Sequence, residues 1–154
     1  MIDVKAQKLT AKWKMAGCED ASGLAYTGDK TKLLIASCGN NVAKVVSAVD
    51  GKEVASIPIG KGPDAVIYDA QRQLAFIPVG RDGKLEVISV ADAAKVAKVQ
   101  EVPTQFLART GALDPASGRI YLMTAQVDTA AGPGPAGRPV PKAGSFEMLV
   151  VAPQ

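Results

Sequence analysis

The stretch Leu33-Leu-Ile-Ala-Ser-Cys-Gly-Asn-Asn-Val-Ala-Lys-Val-Val-Ser-Ala-Val-Asp50 is followed, from Leu74, by Leu-Ala-Phe-Ile-Pro-Val-Gly-Arg-Asp-Gly-Lys-Leu-Glu-Val-Ile-Ser-Val-Ala-Asp92. Both read as an apolar strand, a turn of Gly, Asn or Asp, and a second apolar strand. Each lies inside a longer repeat. Ser22-Gly-Leu-Ala-Tyr26, Asp64-Ala-Val-Ile-Tyr68 and Thr110-Gly-Ala-Leu-Asp114 precede three such strands, with Leu33, Leu74 and Ile120 in register at spacings of 41 and 46. Val45–Asp50 matches Val87–Asp92, and Val54–Ile57 matches Val96–Val99, both at 42. Four short strands in a period of about 42 residues are the mark of a β-propeller blade. The segment Ala91–Val99 has helix-forming residues, but its alignment with Val54–Ile57 reads as strand.

Working outward, with blade strands labelled a to d, the order is c-d, a-b-c-d, a-b-c-d, a-b-c over residues 1–154. The fold class is therefore all-β, a propeller fragment of about three four-stranded blades. Residues 2–6 are expected to be a partial strand c and 8–15 a strand d. In Leu9–Met15, Leu9, Ala11, Trp13 and Met15 alternate with Thr10, Lys12 and Lys14, so one face packs and lysines guard an outer edge. The last strand c spans Phe146–Val151. Between the last b and c, residues 127–144 form a Gly/Pro-rich loop insertion, expected to be mobile. Asp50-Gly51, Gly28-Asp29 and Ser117-Gly118 read as hairpin turns. A ring needs four to eight blades, so the chain is expected to be the C-terminal part of a larger propeller, its ring closed by missing N-terminal blades or by self-association.

The residues that carry a resemblance are Leu34-Ile-Ala-Ser-Cys-Gly-Asn-Asn-Val-Ala-Lys-Val-Val and Asp50-Gly-Lys-Glu-Val-Ala-Ser-Ile-Pro-Ile-Gly-Lys-Gly-Pro-Asp-Ala. They resemble the YVTN propeller repeat. Gly17-Cys-Glu-Asp-Ala-Ser-Gly-Leu, Pro103-Thr-Gln-Phe-Leu-Ala-Arg-Thr and Leu113-Asp-Pro-Ala-Ser-Gly-Arg-Ile-Tyr-Leu resemble the C-terminal blades of bacterial YncE-like proteins. The resemblance covers about residues 2–152. It implies an exported, seven-bladed parent with no assigned reaction. Met1-Ile2-Asp3 runs straight into a strand-like segment, so an export signal is expected to have been lost with the N-terminal blades.

The chain has 154 residues, of which 47% are hydrophobic and 21% charged, which suits one folded domain. Apolar runs are too short to form a membrane-spanning helix. Histidine is absent, which removes the commonest general base and metal ligand and every Ser–His or Cys–His pair. A net charge of +3 with dispersed lysines, and only seven aromatics, argues against a nucleic-acid surface. No cofactor motif is present: Gly132-Pro-Gly-Pro-Ala-Gly137 lacks the Lys-Ser/Thr of a phosphate loop.

Connectors alternate between the two ends of a blade, so d–a and b–c loops share one face. Loops on a rigid scaffold carry function. Glu19, Asn40, Asp64, Arg81, Gln105 and Arg109 are that face's candidate ligand-binding residues; the plain alternative is solvated turns and strand caps. Arg109, at the mouth of an innermost strand, is expected either to pair with Asp64 or Glu19 or to fork an anionic ligand. Glu19, Asp20 and Asp64 could offer oxygens to Ca²⁺, without any EF-hand spacing.

The same alternation places Cys18, after strand d, and Cys38, at the end of strand b, within bridging distance, and predicts a disulfide. A bridge implies an oxidising compartment, periplasmic or secreted. The function expected is a non-catalytic module that binds a small anionic ligand or a protein. A lactonase-type or metal-dependent hydrolase with site residues on other blades is the alternative.

Overall fold

A computed structural model describes residues 1–153, Ala136 by its backbone alone. It is all-β, with thirteen strands in antiparallel sheets among the described residues. β1 (Ile2–Asp3) pairs with β2 (Lys8–Leu9) in a two-residue ladder. The first blade sheet runs in order from β3 (Gly23–Tyr26) through β4 (Leu33–Cys38) and β5 (Val42–Ser47) to β6 (Glu53–Pro58). The second runs from β7 (Ile67–Asp69) through β8 (Leu74–Val79) and β9 (Lys84–Ser89) to β10 (Ala97–Pro103). The third has three strands, β11 (Gly111–Asp114), β12 (Arg119–Thr124) and β13 (Glu147–Val151).

Within each sheet the strands follow chain order, the up-and-down meander of a propeller blade. Across sheets, β7 contacts both β3 and β11, so these three are the inner strands. Gly23 makes this approach possible: a Cβ there would lie 2.6 Å from the Ala65 carbonyl carbon. Turn residues repeat as well. Asn41 and Gly83 hold the same left-handed conformation after strand b (φ 64 and 60), and Asp20, Gly62 and Leu107 hold it in successive d–a connectors (φ 48, 70 and 74).

Three expectations need correction. Residues 8–15 do not form a hydrogen-bonded strand beyond Leu9, because β1 spans only two residues; the burial alternation of Ala11, Trp13 and Met15 against Lys12 and Lys14 nonetheless holds. Ala91–Val96 is a turn rather than strand, so β10 starts at Ala97 and bulges at Val99. Finally, Ile120 is not in register with Leu74. Asp69 pairs with Leu74 and Asp114 with Arg119, each at an a–b turn, so Arg119 takes Leu74's place and Ile120 that of Ala75. A one-residue shift exchanges the two faces of a strand. It turns Ile120 and Leu122 toward the second sheet, where both are buried.

Two cores lie between sheets. The first joins Leu33, Ile35, Val45 and Ile57 of the first sheet to Ala75, Ile77 and Ile88 of the second. The second joins Leu85 to Ala108, Ile120 and Leu122, with Leu149 and Val151 of β13 packed against them.

Candidate functional site

The connector face is built from the d–a loops and the b–c turns, and its polar groups mostly brace backbone. Asn40 Oδ1 accepts the Glu19 N–H at 3.2 Å, while its Nδ2 donates to the Gly17 carbonyl at 3.0 Å. One blade on, Asp82 Oδ2 accepts the Lys61 N–H at 2.9 Å, so the two turns grip their connectors in the same way. Nearby, Glu86 is fully buried on β9. Its Oε1 accepts the Gly60 N–H at 2.9 Å, and its Oε2 lies 3.0 Å from Lys98 Nζ as an ion pair without hydrogen-bond geometry. Lys98 also donates to Glu101, as does Lys84. The hydrogen bond from Lys98, then that from Lys84, holds the Glu101 carboxyl down at about 2.

Cys18 and Cys38 are joined in a disulfide with their Cα atoms 5.3 Å apart. It ties the connector entering β3 to the end of β4, and Gly39 N–H donates to the Glu19 carbonyl beside it. Bridging distance followed from connector alternation alone, and the structure bears it out.

At the mouths of the inner strands, Ser22 Oγ donates to the Pro63 carbonyl at 3.1 Å, and Arg109 Nε lies 3.5 Å from Asp64 Oδ2. Both contacts cross from one sheet to the next. Arg109 sits on Gly80, where a Cβ would come within 2.8 Å of its own Cβ, and Arg81 follows exposed. The Arg109 side chain keeps 61% exposure, its contact with Asp64 is an ion pair without a hydrogen bond, and its terminal nitrogens have no partner among the described residues. Asp64 and Arg109 are thus brought together, while the Arg81 side chain lies against Gly62. Glu19 and Asn40 belong to the first sheet's connector instead. Gln105 lines a different groove, of about 340 Å³, with Pro103, Thr104, Leu149, Val150 and Val151. Among the described residues no three acidic or cysteine side chains converge, so Glu19, Asp20 and Asp64 form no oxygen cage.

The loop at 127–144 has a braced stem that its composition did not reveal. Val127 bridges Pro141, Asp128 N–H donates to the Val140 carbonyl at 2.7 Å, and Lys142 N–H donates to the Gln126 carbonyl at 2.8 Å. Asp128 Oδ1 caps the Ala130 and Ala131 N–H groups. Between this loop and Phe106 lies an open groove of about 410 Å³, lined also by Val127, Pro133, Arg138 and Pro139. Pro, Gly and Val carry no chemical signal of such a groove; only the proximity of the two loops creates it.

No family profile matches the chain, and no curated protein matches it. Solved structures do. A functionally unknown protein from Desulfotomaculum acetoxidans DSM 771 superposes with a TM-score of 0.67 at 14% identity, over 92% of this chain and 46% of that one. Dihydro-heme d1 dehydrogenase NirN in complex with DHE superposes with a TM-score of 0.63 at 15% identity, over 98% and 32%. A chain of the mitotic checkpoint complex gives 0.59 at 17% identity, over 66% and 32%. This chain therefore spans between about a third and just under half of those chains. The likeness is one of fold, and together with the sheet topology it identifies the chain as part of a β-propeller. Among the described residues no helix is long and apolar enough to cross a membrane.

Proposed function

We propose that this chain is a YVTN-type, YncE-like propeller module that binds a small anionic ligand on its connector face without transforming it, in the periplasm or outside the cell. The carrying observation is Arg109. Its Nε lies 3.5 Å from Asp64 Oδ2 of the neighbouring sheet, an ion pair without a hydrogen bond, and its terminal nitrogens have no partner among the described residues. A guanidinium paired loosely at Nε leaves its two terminal nitrogens as a fork for carboxylate or phosphate. Arg81, exposed and lying against Gly62 of the neighbouring connector, adds a positive group to the connector face. The disulfide supports an oxidising compartment.

Thermal denaturation in citrate and in inorganic phosphate tests this reading. An anion at about 100 times its dissociation constant stabilises by about 2.7 kcal/mol, a rise of several degrees in a domain of this size. Arg109→Ala should abolish that rise. Without anion its melting temperature should stay close to the parent's, since an exposed pair contributes at most about 1 kcal/mol. No rise in the parent protein with either anion refutes the proposal.

A further inference from the structure

The d–a connectors of the three sheets are built alike up to one point. Glu19, Lys61 and Phe106 each stand just before the connector's left-handed residue, Asp20, Gly62 or Leu107. Their carbonyls are all held from strand b or from the turn after it. Gly39 N–H donates to Glu19, Arg81 N–H to Lys61, and Thr124 Oγ1 to Phe106. Their N–H groups differ. Asn40 Oδ1 accepts that of Glu19 at 3.2 Å and Asp82 Oδ2 that of Lys61 at 2.9 Å, whereas the Phe106 N–H has no partner among the described residues. The cause is the b–c connection. Asp82 stands three residues after the end of β8, and in the same place after β12 comes Val127, whose side chain has no acceptor. Instead of making a tight turn, the chain there enters the long loop.

The oxygen that completes this brace in the other two sheets is thus missing from the third, and both residues concerned, Phe106 and Val127, line the groove of about 410 Å³. That volume falls in the range of small-molecule sites, about 300–1,000 Å³. Phe106, 41% exposed, and Pro133 and Pro139 of the loop supply apolar walls. Prolines lose no side-chain freedom when a ligand packs on them. Arg138 lines the same groove, and its guanidinium has no partner among the described residues. Its backbone is fixed on both sides, the N–H donating to the Pro135 carbonyl at 3.2 Å and the carbonyl accepting the Gly134 N–H at 2.8 Å. Asp128 also lines the groove, but its Oδ1 is engaged by the Ala130 and Ala131 N–H groups of the loop itself.

We propose that this groove binds a small carboxylate with an apolar body, an aryl or short acyl acid. One carboxylate oxygen accepts the Phe106 N–H, as Asp82 Oδ2 accepts the Lys61 N–H one sheet earlier, and Arg138 supplies the opposing charge. Charge-assisted hydrogen bonds of this kind are about twice as strong as neutral ones, and Asp82 shows that the connector accommodates a carboxylate in that place. The apolar body lies between Phe106 and the prolines. The groove is formed by two connections of one blade, and its ligand is independent of the one proposed for Arg109.

Amide chemical shifts of the intact chain, titrated with phenylacetate, test the assignment. Saturable shifts should centre on Phe106, Val127 and Arg138 and spare Asn40. Titration with 2-phenylethanol, which has the ring without the charge, should leave the Phe106 amide in place. Arg138→Gln, at an exposed position, should weaken phenylacetate binding about tenfold. Val127→Asp should abolish it, because the chain then supplies the missing carboxylate itself; the bridge from Val127 to Pro141 is a backbone one and stays. Arg109→Ala should bind phenylacetate as the parent does. The proposal is overturned by an unmoved Phe106 amide, by equal shifts with 2-phenylethanol, or by parent-like binding in Arg138→Gln or Val127→Asp. Loss of binding in Arg109→Ala overturns it as well, since the acid would then occupy the Arg109 site.

Discussion

Ile77 and Leu122 hold the same place in successive sheets, each wholly buried against the sheet before it, yet their surroundings differ. Ile77 belongs to a core flanked by complete four-stranded sheets, with Ile57 and Ile59 from the outer strand and its connector closing it. Leu122 belongs to a smaller cluster whose far wall is β13, a strand open along its outer edge, and there Leu149 and Val151 are only partly buried. Depth alone does not set the worth of a buried side chain. The rigidity of the wall decides whether a deletion leaves a cavity or is filled by relaxation.

The largest expected effect separates these two seams. Ile77→Ala should cost about 4 kcal/mol and Leu122→Ala about 2–3 kcal/mol in urea unfolding, the softer wall collapsing into the gap. Equal costs would break the comparison.

Next comes the disulfide, which stiffens the connector leading into the first sheet and has no counterpart in the third. Reducing Cys18–Cys38 opens a 20-residue loop and should cost about 3 kcal/mol in the chain-entropy picture. Comparing melts with and without reductant measures it. A loss of under about 1 kcal/mol would mean that Asn40 and the Gly39–Glu19 hydrogen bond already fix that connector.

Acid should act on the second sheet. Glu101 titrates at about 2 when folded against 4.5 ordinarily, held first by Lys98 and then by Lys84. Burial alone would raise the Asp69 carboxyl, but hydrogen bonds from the Arg72 backbone and side chain and the Gln71 backbone outweigh it and lower it from 3.8. Depressed carboxyls stabilise the fold fully above their unfolded values, and that stability is lost as pH falls through the folded ones. Urea midpoints should therefore drop between pH 4.5 and about 2. Glu101→Gln should flatten that drop, and an unchanged acid profile in this variant would show the network to be inert.

The smallest effect belongs to the long loop. Replacing residues 129–139 by a short turn, with the Val127–Pro141 stem kept, should change stability by less than about 0.5 kcal/mol, since loop length costs little entropy. A larger loss would show that the groove against Phe106 supports the second seam.

The strand count, the sheet order and the bridge between Cys18 and Cys38 were legible from the residues. A period near 42, apolar strands and Gly, Asn or Asp turns specify a blade by local chemistry, and connector alternation follows from antiparallel pairing. The pairing of Arg109 with Asp64 was legible as one of two partners, because a guanidinium at a strand mouth seeks a carboxylate nearby. The role of Asn40 and Asp82 shows in their matching places after strand b, 42 residues apart.

Other features were decided only in three dimensions. The place of Ile120 turned on one residue at the Asp114 turn, which strand patterns of similar hydrophobicity do not reveal. Lys44 and Glu86 occupy one repeat position with opposite charges, and each is buried because a local partner, Glu53 or Lys98, meets it. Hydrophobic periodicity says which face of a strand is apolar, whereas whether another sheet covers that face depends on what stands beside it. Val87 and Val150 are the same residue at the same place in the repeat, and only the neighbouring sheet makes one core and the other surface.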